Sequence, residues 1–252
     1  MAEAKESRTV PKGDAAPANS DAETDIAETY HDDGSVSERA QLRNGMPDGE
    51  SQSFTPEGGL LRSAHFRQGE LNGEVCIYDE DGQLAQKADY LNGVPDGRML
   101  LYAERRMFAM LNYQKGVQEG EFVSYAENGD PSARLNYQQG KMHGEALYYY
   151  PSGKLARRAN YAAGVLDGEA IEYDEKGGVQ EHAAYRKGKL EGERKRYHPN
   201  GKLKESGLFK EGKPCAPLQE YDESGNLKAP LGEDGQPTQS RLSTFLEKLV
   251  KG

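Results

Sequence analysis

A period of 24 residues runs through most of this 252-residue chain and constrains its fold more than any other feature. A glycine marks the period, with one step of 23 between Gly97 and Gly120, and an aromatic residue follows five positions later. The phase-marking glycines are Gly49, Gly73, Gly97, Gly120, Gly144, Gly168 and Gly192, and the aromatic residues are Phe54, Tyr78, Tyr102, Tyr125, Tyr149, Tyr173 and Tyr197. Such a period indicates a repeat fold in which each unit contacts mainly its neighbours.

Each unit is typical of a β-hairpin bounded by two kinds of turn. In residues 149–153, Pro151 restricts one turn dihedral and Gly153 permits a positive φ. A Gly-x-x-x-Gly segment, such as residues 188–192, joins each hairpin to the next. We therefore predict an all-β fold over residues 25–228: an elongated, single-layer, antiparallel meander of hairpin repeats.

Alternation along the strands predicts which side chains share a face of this sheet. We expect the first aromatic of a unit and the residue two before it, such as Tyr78 and Cys76, to share a face with Leu84 and Ala88. The opposite face is expected to carry mostly Asn, Lys, Arg, Ser and Glu. Because one layer leaves an apolar face open, we expect curling or twisting of the sheet to cover part of it.

Both ends of the chain differ from the repeats. Residues 1–24 are rich in Ala, Pro, Ser and acidic residues, and we predict a disordered acidic tail. Residues 229–239 are expected to form a linker, and residues 240–252 an amphipathic helix that either caps the last hairpin or docks on a partner. The helical stripe consists of Leu242, Phe245, Leu246, Leu249 and Val250.

The net charge of -10 is concentrated near the start, where residues 1–50 hold 12 acidic and 5 basic residues. A nearly neutral body argues against nucleic acid and anionic membranes as partners. As written, the chain is expected to be cytoplasmic, since no apolar leader follows Met1. If a leader was removed, the acidic tether suits a periplasmic or lipid-anchored protein, and a removed N-terminal anchor is the route by which a membrane would be involved.

Catalytic and metal-binding motifs are not found in the sequence. It contains neither a Walker loop nor a Gly-x-Ser-x-Gly elbow, and its five histidines do not fall at metal-ligand spacing. Cys76 and Cys215 are interpreted as two unpaired thiols. Glutamates such as Glu74 and Glu145 recur after the phase glycine, where they are expected to pair with neighbouring charges or accept turn amides. We expect no enzymatic activity, no metal and no cofactor.

The pattern Gly-Glu-x-x-x-Tyr-x-x-x-Gly-x-Leu, followed by Tyr-x-x-Gly-x-x-x-Gly, is complete in residues 144–168. It resembles the MORN repeat (membrane occupation and recognition nexus), in the bacterial form found in YwqK-type antitoxins. The resemblance spans residues 25–228 and implies an antitoxin or immunity protein that binds and occludes a protein toxin, type VI secretion effectors included. Eukaryotic relatives are linked to membrane phospholipids and scaffolding, so the alternative is a MORN-type scaffold or membrane-surface adaptor.

One unit, residues 97–119, departs from the pattern. It lacks one residue and the hairpin glycine, Arg98 replaces the usual glutamate, and arginines fill the turn. We expect its usually polar face to become apolar and to form a partner-binding patch, because methionine and aromatic anchors beside arginine are typical of interface cores. The alternative is that the acidic N-terminal segment or a second copy covers the patch. The patch residues are Arg98, Met99, Leu101, Arg105, Arg106, Phe108 and Met110, extended by Val75, Ile77 and Phe122.

Residues 182–213 form a basic segment, with ten Lys or Arg against four Glu. This segment is either a solvated face or an electrostatic guide for an acidic partner, which would mainly raise the association rate.

Overall fold

The computed structural model describes residues 24–228, which form a single open antiparallel sheet and contain no helix. The predicted all-β meander of hairpins is confirmed. The strands are β1 Thr24–Tyr30, β2 Val36–Arg43, β3 Met46–Phe54, β4 Leu60–Arg67, β5 Glu70–Tyr78, β6 Leu84–Leu91, β7 Val94–Ala103, β8 Arg106–Gln114, β9 Val117–Gln118, β10 Gly120–Tyr125, β11 Pro131–Gln138, β12 Lys141–Met142, β13 Gly144–Tyr149, β14 Leu155–Ala162, β15 Val165–Tyr173, β16 Val179–Arg186, β17 Lys189–Tyr197, β18 Leu203–Lys210, β19 Lys213–Pro214 and β20 Gln219–Glu220. The expected linker 229–239, the helix 240–252 and, apart from residue 24, the acidic tail lie outside the described residues.

The strands pair in chain order. Strands β1 to β8 pair consecutively, β8 pairs with β10, β11 pairs with β13, and the order continues through β18 to β20. The two-residue strands β9, β12 and β19 pair with β8, β11 and β18. Because each hairpin contacts its neighbours in sequence, stability is close to a sum of local interface terms.

Two-residue turns join each hairpin to the next. Both central residues have positive φ, as at Asn44 (52°) and Gly45 (77°), which is the type I′ geometry that suits the right-handed twist of paired strands. The first glycine of each Gly-x-x-x-Gly segment lies in this turn. The N–H of Gly69 donates to the Pro47 carbonyl at 2.7 Å, and the N–H of Gly93 donates to the Leu71 carbonyl at 2.9 Å. These bonds tie each turn to the preceding repeat.

The phase-marking glycine, the second of each link, is required for two reasons. Its φ is positive, at 121° for Gly73 and 128° for Gly97. Its Cα also lies against the preceding strand, so that an added Cβ would stand 3.2 Å from the His65 Cβ or 2.8 Å from the Asp89 Cβ. A larger residue would strain the backbone and collide with its neighbour at these two positions. At Gly120 and Gly144 an added Cβ would be 3.9 and 4.0 Å from its neighbour, so the positive φ alone accounts for glycine there.

Each long hairpin contains a β-bulge beside its first aromatic residue. In the β5–β6 hairpin, Tyr78 lies opposite Leu84 and Ile77 lies opposite Gln86, which leaves Ala85 as an extra residue. The same shift recurs in the hairpins of the other repeats. A bulge of this kind places two residues of one strand against one residue of its partner.

The extra residue of the bulge faces the same side as the residue it opposes. Two equivalent positions show this directly, because the Thr29 and Ser37 hydroxyls are 2.8 Å apart and the Ser124 and Ser132 hydroxyls are also 2.8 Å apart. The alternation of side chains is therefore interrupted once in every hairpin.

The predicted grouping of side chains on the two faces is wrong because of this bulge. Ala88 lies directly opposite Val75 and Met99, whereas Cys76 lies opposite Lys87 on the other face. We call the face with the buried row Ala64, Ala88, Ala159, Ala170 and Ala183 the alanine face. We call the opposite face, which carries Cys76, Leu100, Val123, Leu147 and Ile171, the ladder face.

The alanine face holds a buried apolar cluster. Ala133, Leu135 and Ala146 are buried at its centre, and aromatic side chains of the same face pack against them. Phe122 and Tyr137 meet edge to face with ring centroids 6.2 Å apart. Small residues are thus buried beneath larger ones within a single layer.

Candidate interaction surface

A series of ion pairs runs along the ladder face. The glutamate after the phase glycine pairs with a cation 13 residues later, as in Glu74–Lys87 at 2.5 Å and Glu121–Arg134 at 2.8 Å. The expectation that these glutamates pair with neighbouring charges is confirmed for Glu74, Glu121 and Glu145, whereas Glu50 accepts a hydrogen bond from Gln52. Two further contacts with the same spacing are Glu145–Arg158 at 3.9 Å and Glu169–His182 at 3.6 Å, the second being an ion pair only when the imidazole is protonated.

These contacts shift the pKa values of the groups involved. The hydrogen bond from Lys87 lowers the pKa of the Glu74 carboxyl, and the same contact raises the pKa of Lys87. Burial raises the pKa of the Cys76 thiol, and its hydrogen bond to Glu74 adds to the shift. The thiol is therefore kept protonated, which opposes nucleophilic or metal-binding behaviour at this cysteine.

Two of the five histidines occupy one repeat phase, and the structure explains why. His31 Nε2 lies 3.0 Å from the Phe54 carbonyl oxygen, and His198 Nε2 lies 3.0 Å from the Tyr221 carbonyl oxygen. Tyr150 fills the same phase and donates its hydroxyl to the Tyr173 carbonyl at 2.6 Å. Each residue bridges its own turn to the turn of the next repeat, so its role is structural.

The departing unit closes with a tight turn. Strands β7 and β8 are joined by Glu104 and Arg105, whose φ values of 50° and 64° give a two-residue hairpin in place of the usual longer loop. Arg106 Nη1 donates to the Glu127 carbonyl at 2.8 Å, and Nη2 pairs with Glu104 at 3.0 Å. Arg106 thus holds the next turn in place, while the Arg105 side chain is exposed.

The predicted patch is divided between the two faces. Met99 and Leu101 lie on the alanine face, opposite Leu111 and Ala109. Phe108, the extra residue of the bulge, lies beside Leu101 on that face. The residues Val75, Ile77 and Phe122 occupy the same face.

The structure corrects the predicted position of Met110, which was expected to share a face with Phe108. It lies opposite Leu100 and Val123 and therefore belongs to the ladder face. Strict alternation from Phe108 gives the wrong side because the bulge falls between the two residues. Arg98 also lies on the ladder face, two residues before Leu100.

The alanine-face patch, defined as Ile77, Met99, Leu101, Phe108 and Phe122, is partly open to solvent. Phe108 is 44% exposed and Ile77 is 38% exposed, whereas the other three are half-buried. Val75 is 3% exposed and supports the patch from within. At the usual strand spacing, the patch extends roughly 15–20 Å across the sheet.

Sequence reasoning missed a second apolar group, at the turn end of the ladder face. Leu91, Val94 and Val117 are 46%, 41% and 45% exposed. They flank the type I′ turns, where the equivalents of Val94 and Val117 include the charged residues Glu70 and Lys141 and the exposed apolar residues Met46 and Val165. An alignment of the repeats at these positions would have identified the three residues from the sequence.

The predicted structural tyrosines follow one rule. Each is half-buried beside the bulge, and each ends its strand except Tyr102, which is followed by Ala103 in β7; they are Tyr78, Tyr102, Tyr125, Tyr149, Tyr173 and Tyr197. In the basic segment, Lys189 pairs with Glu211 at 2.6 Å and Lys195 pairs with Glu193 at 2.8 Å. Arg194 pairs with Glu205. Its guanidinium also lies 4.8 Å from the centre of the Phe209 ring. Part of the basic charge is therefore neutralised within the sheet.

A shallow groove crosses the ladder face near the C-terminal repeats. It is lined by Ile171, Val179, His182 and Tyr197. Across residues 24–228, no group of three or more His, Cys, Asp or Glu side chains is placed to hold a metal ion. That same segment has no helix with the length and apolar character needed to cross a membrane.

Comparison with known families assigns the repeat type. Residues 71–92, 142–163 and 190–211 match the family model described as a MORN repeat variant. The chain contains MORN-variant repeats. Each match covers the two strands of one long hairpin. The matches are spaced by multiples of the 24-residue period, except that the interval containing the departing unit is one residue shorter. MORN-variant repeats suggest a repeat scaffold or an interaction with proteins or membranes.

The comparison with curated proteins yields no match. Among solved structures, the crystal structures of TcdB2-TccC3-TEV and TcdB2-TccC3 align at 10% and 11% identity, with TM-scores of 0.19 and 0.14. Each alignment covers 84% of this chain but only 14% and 18% of those chains. Likeness at this level carries no argument about fold or function.

Proposed function

We propose that this chain is a non-catalytic immunity protein or antitoxin that forms a heteromeric complex with a toxic effector enzyme and occludes it. The effectors of type VI secretion are the class of partner that the MORN resemblance suggests. The observation that carries the proposal is the alanine-face patch, in which Phe108 and Ile77 are exposed on an otherwise well-paired sheet.

The chemistry of the patch suits a protein partner. Methionine and aromatic side chains are enriched at interface cores, and burying a side chain such as Phe108 contributes about 1.5–3 kcal/mol. Arg105 is exposed at the turn beside the patch and supplies a charged rim. An open sheet also offers a broad surface, which suits occlusion of an active site better than the capture of a small molecule.

The ionisable groups described above support binding rather than catalysis. The glutamates serve in ion pairs, two histidines bridge turns, and the Cys76 thiol is held protonated. We therefore propose that protection comes from stoichiometric binding, without a chemical step.

The test is coexpression of the chain with each protein encoded beside it in its source genome. We expect the full chain to rescue growth from one toxic neighbour and to copurify with it. Phe108→Asp should lose rescue, whereas Gln180→Asp, at the same bulge position in another repeat, should retain it. The double variant Leu101→Asp with Phe108→Asp should lose binding while keeping the circular dichroism of a folded sheet.

Three results would contradict the proposal. The first is rescue that survives both patch variants, and the second is a set of neighbours that shows neither toxicity nor binding. The third is flotation of the full chain with liposomes at low salt, which would favour a MORN-type scaffold or membrane-surface adaptor.

A further inference from the structure

The series of ion pairs on the ladder face is interrupted between the pair Glu74–Lys87 and the pair Glu121–Arg134. Where these pairs have the glutamate, the departing unit has Arg98, and where they have the cation, it has Met110; the first and last repeats keep the glutamate but have Ser63 and Ser206 at the position of the cation. The register establishes the equivalence, because Met110 lies between Leu100 and Val123 just as Lys87 lies between Cys76 and Leu100. Both members of the pair are replaced at once.

This double replacement leaves a positive charge without a partner. Among residues 24–228, no carboxylate oxygen lies within 4.0 Å of the Arg98 guanidinium. Two carboxylates of the preceding strands make other contacts: Glu74 pairs with Lys87, and Asp89 accepts the backbone N–H of Arg98 at 3.3 Å. An intact repeat carries a neutral pair at this place, whereas this repeat carries a single exposed cation.

Apolar side chains lie before and after Arg98 along the ladder face, and Asn112 lies directly opposite it. Leu100, Met110 and Val123 follow one another across three strands. In contrast, the rows Cys76–Lys87–Leu100 and Leu147–Arg158–Ile171 alternate apolar and basic residues. Toward the turn end, Leu91 lies opposite Val94 and both are exposed. The next repeat packs against this pair, since an added Cβ at Gly116 would lie 3.4 Å from the Val94 Cβ. Val117 continues the apolar surface from there.

We propose that this ladder-face surface, formed by Leu91, Val94, Arg98, Met110 and Val117, binds a protein segment that carries a carboxylate beside apolar side chains. The partner's carboxylate takes the place of the glutamate that the repeat lacks. Charge complementarity determines the choice, because the surface offers one unpaired guanidinium, and arginine can hold a carboxylate through two parallel hydrogen bonds. The inference goes beyond the proposed function: it concerns the opposite face of the sheet and names the chemistry of the ligand.

A repair variant isolates this surface. Arg98→Glu with Met110→Lys restores the ion pair of the other repeats at positions where Lys87 and Arg134 are half-buried, as Met110 is. Because surface ion pairs change stability little, the repaired chain should fold and melt close to the wild type. It differs from the wild type only in the charge and apolar character of the proposed site.

The experiment is selection from a phage-displayed library of random twelve-residue peptides against the immobilised full chain. We expect enriched peptides with Asp or Glu next to Leu, Ile, Val or Phe, and we expect the repair variant to bind them about tenfold more weakly. Phe108→Asp, on the other face, should bind them as the wild type does. That variant separates this inference from the proposed function, because loss of toxin rescue by Phe108→Asp does not depend on the ladder face.

The inference is overturned by the absence of enrichment, by peptides lacking acidic residues, or by equal binding to the repaired chain. Sedimentation provides a second readout. A dimer of the wild type that dissociates in the repair variant would assign the surface to a second copy of the chain instead.

Discussion

At the residue scale, glycine has two separate structural roles in this chain. One glycine of each link sits in a type I′ turn, and the other brings two strands into close approach. Gly168 belongs to the second kind, with a φ of 113° and the Asn160 Cβ 3.1 Å from where its own Cβ would stand. Positive φ and the close neighbour act together, so this position tolerates substitution less well than an open turn.

Gly168→Ala is therefore expected to lower the free energy of unfolding by about 1–3 kcal/mol, the usual cost of a strained backbone position. Urea denaturation followed by circular dichroism measures the change. Ser152→Ala, at an exposed turn position, is the control and should change stability by less than about 0.5 kcal/mol. Equal effects of the two substitutions would refute the assigned role of the glycine.

Tyr148 is the residue with the largest described change in ionisation. Burial and a hydrogen bond with Tyr161 raise its pKa from 10.0 to about 12. Because the pKa of Tyr148 is higher in the folded state than in the unfolded state, its contribution to the free energy of unfolding is fully present below pH 10.0. That contribution is lost as the pH rises through about 12. Ultraviolet absorbance should show a late tyrosinate titration that disappears in Tyr148→Phe. If that substitution leaves the alkaline end of the titration unchanged, the assignment is wrong.

At the element scale, the β-bulge marks the limit of what the sequence could predict. The hairpins, both turn types and the single-layer meander follow from the period and from turn chemistry. The faces do not, because the extra residue, such as Ala85 or Phe108, is hidden within a strand of ordinary length. Counting by twos across it placed Met110 with Phe108 and Leu84 with Ala88. The shift in register is visible only in the structure, where the extra residue of the bulge lies on the same face as the residue that it opposes.

The tight turn of the departing hairpin gives a prediction at this scale. Arg105 adopts a φ of 64°, a conformation that costs an L-residue about 1–2 kcal/mol and that glycine adopts freely. Arg105→Gly should raise the melting temperature by a few degrees, partly offset by the greater freedom of the unfolded chain. Arg106→Gly, one position away, should lower it, because Arg106 loses its contact with the Glu127 carbonyl. We expect the two substitutions to change the melting temperature in opposite directions, and changes in the same direction would contradict the turn assignment.

The ladder pairs predict a weak dependence on acid. Because Lys87 lowers the pKa of Glu74 below 4.5, the pair stabilises the fold above that pH and the contribution disappears as the carboxyl protonates at lower pH. Screening of these exposed groups limits the effect of Glu74→Gln to below about 1 kcal/mol at neutral pH. Thermal melts of the variant and the wild type should converge well below pH 4.5. A gap that persists there would assign the effect to packing.

For the whole molecule, the arrangement of repeats sets what the sheet can do. Each hairpin is held by its neighbours, so one repeat can depart from the pattern without disturbing the others. The departing unit differs from the repeat pattern on both faces, with the apolar patch on the alanine face and the unpaired Arg98 on the ladder face. We expect the partners of the chain to meet this unit rather than the regular repeats.

The most direct test of the central claim is a titration of the toxin's activity with the purified full chain. A binding protein abolishes activity at an equimolar break point and leaves the toxin unmodified, and this is the result that we predict. Complete inactivation at a small fraction of that amount, with turnover, would mean that the chain acts as an enzyme and would contradict the account.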